Sequence, residues 1–379
     1  MELNEIRNEI DKKDEQITKL ICERMALTAK VAASKQDSGK AVYDGLRERE
    51  VISHVKQTAG ETYGNYMHMI YNTIMDSSKA YQYSLLDHSS SYSRAISAAI
   101  EDTPQLFPDH AVVACQGIPG AYSEAAAMKM FSSPEVMFFD SFDKIFSSVE
   151  KGLCRYGILP IENSNFGSIA AVYDLMQEHS CYIVRSCRHQ ITHRLLAKPG
   201  TKLSDIKEII SHEQALGQCR KFLDSLDDVT IRSTGNTAVA AREVSQSDRN
   251  DIAAISSPEC ADLYGLKVIE EDIQISDHNF TRFICISGQP EIYPGDNRIS
   301  LLLKVEHKPM SLYHTLGKMS TMGINICKLE SRPIPGSDFE FLFYFDLDAS
   351  IRDPKVLKVI DELHSQLDFF VFLGAYQEI

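Results

Sequence analysis

Proline is absent from residues 1–103 of this 379-residue chain. Glycine is therefore the only strong helix breaker in that stretch. No apolar run is long enough to span a bilayer. The first residues, MELNEIRNEIDKKDEQ, carry charge where a secretory signal would be apolar. The expectation is a cytoplasmic protein with no membrane partner. The nine cysteines include no CxxC pair, which fits free thiols in a reducing compartment rather than a disulfide framework. Asn279-Phe280-Thr281 matches a glycosylation sequon in form only, because no export signal accompanies it. Lysine and arginine form no dense tract and the formal net charge is −14, so nucleic acid is not an expected partner. An acidic chain that binds a small anion is expected to do so with individually placed arginines and lysines.

The apolar fraction of 44% supports real cores, and the length calls for two or three domains. Residues 84–110, rich in Ser, Asp and Pro, read as a linker with a short helix near Ala95–Ile100. GQPEIYPGDNR at 288–298 reads as a second joint. Three segments follow: 1–88, 111–287 and 299–376.

In the first segment Ile6, Ile10, Ile17, Leu20, Ile21, Met25, Thr28 and Val31 recur at helical spacing. Gly39 is expected to end this helix, Asp44 to cap a second, and Gly60 and Gly64 to separate a third. A helix of roughly 35 residues extends about 50 Å. That rod is too long for so small a segment to cover, so an intertwined dimer or larger homo-oligomer is expected. Arg24 and Lys35 share a face; Asp44, Arg47 and Glu48 stand at i, i+3, i+4, and Ser78 and Gln82 at i, i+4. Arg7 lies about 25 Å from Arg24 along the rod, so it reaches the same small ligand only from a partner chain. Taken singly, each of these residues also fits a solvated amphipathic helix.

The middle segment alternates strand, polar turn and helix. Residues 111–116, AVVACQ, run into GIPGAYSEAAAMKMF, where Tyr122 and Ser123 open an alanine-rich helix. The amides at such a helix start suit an anion. The glycine spacing is not G-x-G-x-x-G, so no dinucleotide and no other cofactor is expected. Similar units stand at 156–176, 211–219 and 233–241, which together describe a two-lobed α/β binding domain. At 277–283, DHNFTRF precedes an apolar run. It sets the Thr281 hydroxyl beside the Arg282 cation at the mouth of a strand. That pairing suits a small anion losing an oxygen leaving group, although alone it also describes an ordinary strand start. His189 and His193 are four apart, but in a strand that is about 13 Å, so no metal is expected. Cys181 and Cys187 lack zinc spacing. His212 and His278 flank the motifs as candidate bases or structural histidines.

The last segment reads βαββαβ: strand 299–305, helix 309–322, strands near 324–331 and 339–347, helix 354–366 and a final strand from DFFVFLGAY. This is a ferredoxin-like order.

The charges of the first segment resemble the site pattern of the helical chorismate mutases. The resemblance implies that Arg7, Arg24 and Arg47 grip carboxylates with help from Ser78. Lys35 and Gln82 would donate to the breaking ether oxygen, while Glu48 and the backbone near Asp44 hold the ring hydroxyl. A pericyclic rearrangement needs only such positioning and charge stabilisation. The middle segment resembles prephenate dehydratase, with a periplasmic-binding-protein-like pair of lobes. The resemblance implies a site of Tyr122, Ser123, Glu162, Asn163, Ser164, Ser211, Gln218, Thr281, Arg282 and Phe283, with Thr281 closest to the chemistry. Glu330-Ser331-Arg332-Pro333 matches the amino-acid-binding ACT domains attached to these dehydratases. Their usual Pro-Gly-Ala-Leu is Pro309-Met310-Ser311-Leu312 here, which implies weakened binding of L-phenylalanine. The whole chain thus resembles a bifunctional chorismate mutase/prephenate dehydratase acting on chorismate and prephenate. Arogenate dehydration and a non-catalytic amino-acid-sensing protein are the alternatives.

Overall fold

Freedom from proline lets the first segment form long helical stretches, α1 (Leu3–Ser38) and α2 (Gly45–Leu85), the second being two helices that meet at Gly60. Asp44 caps α2, its Oδ1 accepting from the Arg47 amide at 3.1 Å. On a straight helix Glu48 and Lys79 would stand about 46 Å apart, yet Lys79 Nζ lies 2.9 Å from Glu48 Oε1. The chain reverses at Gly60, whose φ of 69° and ψ of −179° break the helix. The reversal falls at this one glycine; Gly64 stays helical. The computed structural model describes residues 2–38, 44–85, 90–334, 336 and 340–379. The expected helix end at Gly39 lies outside them. Leu3, Ile10, Ile17, Leu20 and Leu27 of α1 are all more than half exposed. A third helix, α3 (Ser91–Asp102), occupies the expected linker.

Chain contacts define two units, Met1–Ala98 with Ile299–Phe372, and Ala99–Arg298 with Leu373–Ile379. The second contains two α/β lobes. The first lobe starts with β1 (Val112–Gln116), α4 (Tyr122–Met130), β2 (Glu135–Phe139), α5 (Phe142–Glu150) and β3 (Tyr156–Asn163). It continues through β4 (Gly167–Ser168), α6 (Ala170–Glu178) and β5 (Tyr182–Gln190). The chain then builds the second lobe: β6 (Arg194–Ala197), β7 (Glu208–Ser211), α7 (Glu213–Gln218), α8 (Arg220–Leu223) and β8 (Thr230–Ser233). α9 (Thr237–Gln246), β9 (Ile252–Ser256), α10 (Pro258–Tyr264) and β10 (Lys267–Glu270) complete it. β11 (Phe280–Ser287) returns to the first lobe, between β3 and β5 and antiparallel to both. The sheet orders are β5-β11-β3-β1-β2 and β10-β6-β9-β7-β8. Val113, Tyr156, Ile158 and Cys285 centre the first core; Leu196, Ile210 and Ala254 lie in the second. Strands buried on both faces read as unbroken apolar runs, as Ile252–Ser256 does.

The first unit also holds β12 (Arg298–Lys304) from Ile299 on, α11 (Ser311–Thr321), β13 (Asn325–Pro333), β14 (Phe341–Asp348) and α12 (Pro354–Gln366), and β15 (Phe370–Glu378) begins there. The order βαββαβ is ferredoxin-like, as the sequence implied. Met310, preceding α11, has a φ of 74°. A long side chain thus occupies left-handed backbone, where glycine is at ease.

Candidate functional site

A cavity of about 510 Å³ lies between the two lobes. Four helices begin at it. Their cap residues Ala121 (α4), Ile169 (α6), His212 (α7) and Asn236 (α9) all line its wall. Asn236 and His212 satisfy first-turn amides themselves, Asn236 Oδ1 accepting from Val239 at 2.7 Å. α4 and α6 have no such side-chain cap, and their first amides and dipoles favour an anion. Among the described residues, none that lines the cavity is Lys or Arg. The arginines and lysines expected around a bound anion are not in this wall, which leaves the helix-start amides, also expected at Tyr122, to favour one. Phe142, Pro160, Phe166 and Phe283 supply apolar wall.

A chain of hydrogen bonds runs along one side. Thr281 Oγ1 accepts from Asn163 Nδ2 at 2.9 Å, and the same amide donates to Asn279 Oδ1 at 3.0 Å. Asn279 Nδ2 donates to Gln218 Oε1 at 2.9 Å, and His193 Nε2 lies 2.6 Å from that oxygen. Asn163 is fixed in turn because its Oδ1 accepts from the Asn165 and Phe166 amides. Thr281 accepts on its oxygen, so its own proton is what it can offer a ligand. Burial holds His193 below the ordinary imidazole range, against the Gln218 contact that raises it. A neutral ring with Nε2 protonated fits the Gln218 carbonyl oxygen. The Tyr122 hydroxyl donates to the Thr192 carbonyl at 2.6 Å, and burial pushes its pKa well up. Ser123 Oγ donates to the Gln116 carbonyl at 2.6 Å.

Of the residues the sequence singles out, Tyr122, Ser123, Asn163, Gln218, Thr281 and Phe283 line the cavity. Arg282, Glu162, Ser164 and Ser211 do not. The pleat turns Arg282 to the other face of β11, where its Nε meets Glu378 at 2.9 Å and Nη2 donates to the Tyr376 hydroxyl at 2.7 Å. Glu162 pairs with Arg282 in the β3–β11 register. Ser211 is buried, and its hydroxyl donates to the Ile255 carbonyl at 2.6 Å. Ser164 Oγ accepts from the Phe280 amide and donates to the His278 carbonyl. His193 and Asn279 were not read as site residues, since their partners come from distant segments; Asn236 sits in the turn at 233–241 that the sequence marks, and caps α9 locally through the Val239 amide. In sequence His193 stands out only as the second of two histidines four apart; His189 lies on β5 and His193 just beyond its end.

In the first unit Arg24 Nη1 donates to Ser78 Oγ, and Ser78 Oγ lies 2.7 Å from the Ile74 carbonyl. Gln82 is buried one turn on. Glu48 faces Lys79, while Lys35 is half-buried on α1. Arg47 instead pairs with Glu50 in solvent, and Arg7 is exposed. Arg24, Ser78, Gln82 and Glu48 thus come from the packed faces of α1 and α2, while Arg7 and Arg47 stand outside.

A second cavity, of about 350 Å³, is lined by His307, Pro309, Leu312, Phe341 and Phe343 among others. Leu312 is the one expected regulatory residue in its wall. Glu330, Ser331, Arg332 and Pro333 lie on β13, paired with β14.

The chain matches the prephenate dehydratase family over residues 113–291 and the type II chorismate mutase family over 6–83. A bifunctional chorismate mutase/prephenate dehydratase of Escherichia coli (strain K12) is 30% identical over 381 residues, covering 98% of this chain and 95% of that protein. Arogenate dehydratase/prephenate dehydratase 1 of Arabidopsis thaliana is 38% identical over 280 residues, covering 70% of this chain and 71% of that protein. The crystal structure of an Arthrobacter aurescens prephenate dehydratase in complex with L-Phe superposes with a TM-score of 0.64 at 30% identity, covering 70% of this chain and 89% of that one.

Proposed function

The chain belongs to the bifunctional chorismate mutase/prephenate dehydratases, and from that membership we propose which of its residues carry each reaction. Its two activities convert chorismate to prephenate and prephenate to phenylpyruvate, in phenylalanine biosynthesis. Prephenate would occupy the cavity between the lobes, within the proposed dehydratase domain 111–287. The observation that carries this assignment is the meeting of Thr281 with uncapped helix starts in one apolar-walled space.

The amides opening α4 and α6 hold substrate carboxylate, as helix N-termini hold anions. The ring carboxylate leaves as CO2, the hydroxyl takes up one proton and leaves as water, and the ring becomes aromatic. The Thr281 hydroxyl, fixed by Asn163, donates toward the departing oxygen. Threonine is too weak an acid to supply the proton outright, so it positions or relays it. The apolar wall favours loss of charge as CO2. The polar wall offers amides, hydroxyls and imidazole, which suits the keto acid of prephenate better than the ammonium of arogenate.

The mutase site, in domain 1–88, would form where two copies of α1 meet. The exposed apolar side chains of α1 give a second copy a surface to cover. That partner's Arg7 then joins Arg24, Lys35, Arg47, Glu48, Ser78 and Gln82, with the backbone at Asp44. Segment 299–376 would be an ACT domain sensing L-phenylalanine near the start of α11, where Met310 and Ser311 precede Leu312 in the wall of the second cavity. The Arthrobacter relative holding L-Phe supports a phenylalanine-responsive protein. Nine free cysteines support a cytoplasmic location.

Purified protein given chorismate tests the whole reading: phenylpyruvate should appear, and kcat/KM for prephenate should exceed that for arogenate. For the shared mutase site, Arg7→Ala and Arg24→Ala proteins refolded together should regain mutase activity that neither has alone. No recovery in verified hybrids would place the site within one chain.

A further inference from the structure

Lys79 follows Ser78 on α2 and was not among the residues the sequence singled out. Its ammonium lies 2.9 Å from Glu48 and 3.0 Å from Asp76, and its side chain is only 12% exposed. Asp76 is buried as deeply, and its second oxygen meets His314 Nδ1 at 2.7 Å. His314 belongs to α11, and its amide donates to the Met310 carbonyl at 2.9 Å. Glu48, Lys79, Asp76 and His314 therefore form one continuous run of polar contacts.

An ammonium so enclosed is not a solvated surface charge. Burial pushes the Lys79 pKa down, but the Asp76 and Glu48 carboxylates push it up by more, so it stays protonated. A carboxylate beside a fixed cation keeps one orientation, because both partners lose their alternatives together. Glu48 can bind a ring hydroxyl only from a defined rotamer.

We infer that Lys79 is a positioning residue of the mutase site, fixing the Glu48 carboxylate and being held itself from α11 through Asp76 and His314. This rests on the reading that Glu48 binds the ring hydroxyl of chorismate. An acceptor used equally in substrate and transition state governs KM more than kcat. Lys79 acts through Glu48 and need not touch the substrate. The same contacts tie the mutase helix to the helix that starts at Met310.

The test uses the full-length protein and follows chorismate consumption. Lys79→Met should raise KM for chorismate about tenfold, the scale of one charged hydrogen bond, with kcat changed by less than about threefold. Lys79→Arg should restore most of the loss. His314→Asn and Asp76→Asn should give intermediate KM values. Turnover of added prephenate should be unchanged in all of them. Glu48→Gln is the control. If it raises KM while Lys79→Met leaves KM at wild type, the positioning role is wrong and the reading of Glu48 stands. If Glu48→Gln itself leaves KM unchanged, the reading of Glu48 fails and the inference falls with it. A fall in kcat alone, without rescue by Lys79→Arg, would mark Lys79 as merely structural and overturn the inference.

Discussion

Arg282 turns its guanidinium away from its neighbour Thr281 and onto Glu378, 2.9 Å from Nε. Arg188 meets the same carboxylate at 3.0 Å and Arg298 at 3.6 Å. Successive residues of a strand face opposite sides of the sheet, so the hydroxyl serves the cavity and the cation clamps the terminal segment. Breaking a buried pair costs about 3–5 kcal/mol; the remaining arginines put Arg282→Gln near the low end. Thermal unfolding should occur several degrees lower, while KM for prephenate changes by less than about threefold. A large rise in KM with unaltered melting would put Arg282 back in the site.

Lys35→Ala should remove mutase turnover by about 10²–10³, the effect of losing one donor to developing negative charge. Dehydration of added prephenate should continue, because Thr281 and its partners lie in a separate segment. Equal loss of both activities in a folded variant would contradict the assignment of residues to two sites.

Met310→Gly should stabilise the protein by about 1–2 kcal/mol, since a φ of 74° strains any residue with a Cβ. Calorimetry checks the sign. Phenylalanine should also inhibit Met310→Gly more strongly than wild type, as a flexible side chain leaves the start of α11. Unchanged or poorer inhibition would show that Met310 does not obstruct the effector.

His193 should make the fold sensitive to mild acid. Its folded pKa is depressed by burial below the ordinary 6.5. The unfolded chain therefore takes up a proton at a pH where the folded one does not. Stability is full above about pH 6.5 and is lost as pH falls from there toward the folded value. His193→Gln removes this contribution. The difference in melting temperature between wild type and His193→Gln should shrink on going from about pH 7.5 to 5.5. A constant difference would mean that His193 is not buried neutral.

Periodicity made most of the fold legible. The helical spacing of Ile6, Ile10, Ile17 and Leu20 marked α1, and the polar turns at Tyr122 and Asn236 marked helix starts that reach the cavity. What stayed hidden depends on direction or on distant chain. Thr281-Arg282 read as one motif because sequence shows adjacency and not the pleat. Ser211 read as a lining residue, whereas the Ile255 carbonyl takes its hydroxyl. The helix start at Tyr122 was legible as amides suited to an anion, but that no described Lys or Arg lines the cavity was not, because sequence does not show where a cation points. Lys79 carried no signal because its partner Glu48 is brought near only by the reversal at Gly60.

The most direct test of the account is Thr281→Ala supplied with chorismate. The mutase should work at its normal rate, so prephenate should accumulate while phenylpyruvate stays near background; Thr281→Ser, which keeps the hydroxyl, should retain part of the second step. Phenylpyruvate formed by Thr281→Ala at close to the wild-type rate would show that the Thr281 cavity is not where prephenate is dehydrated.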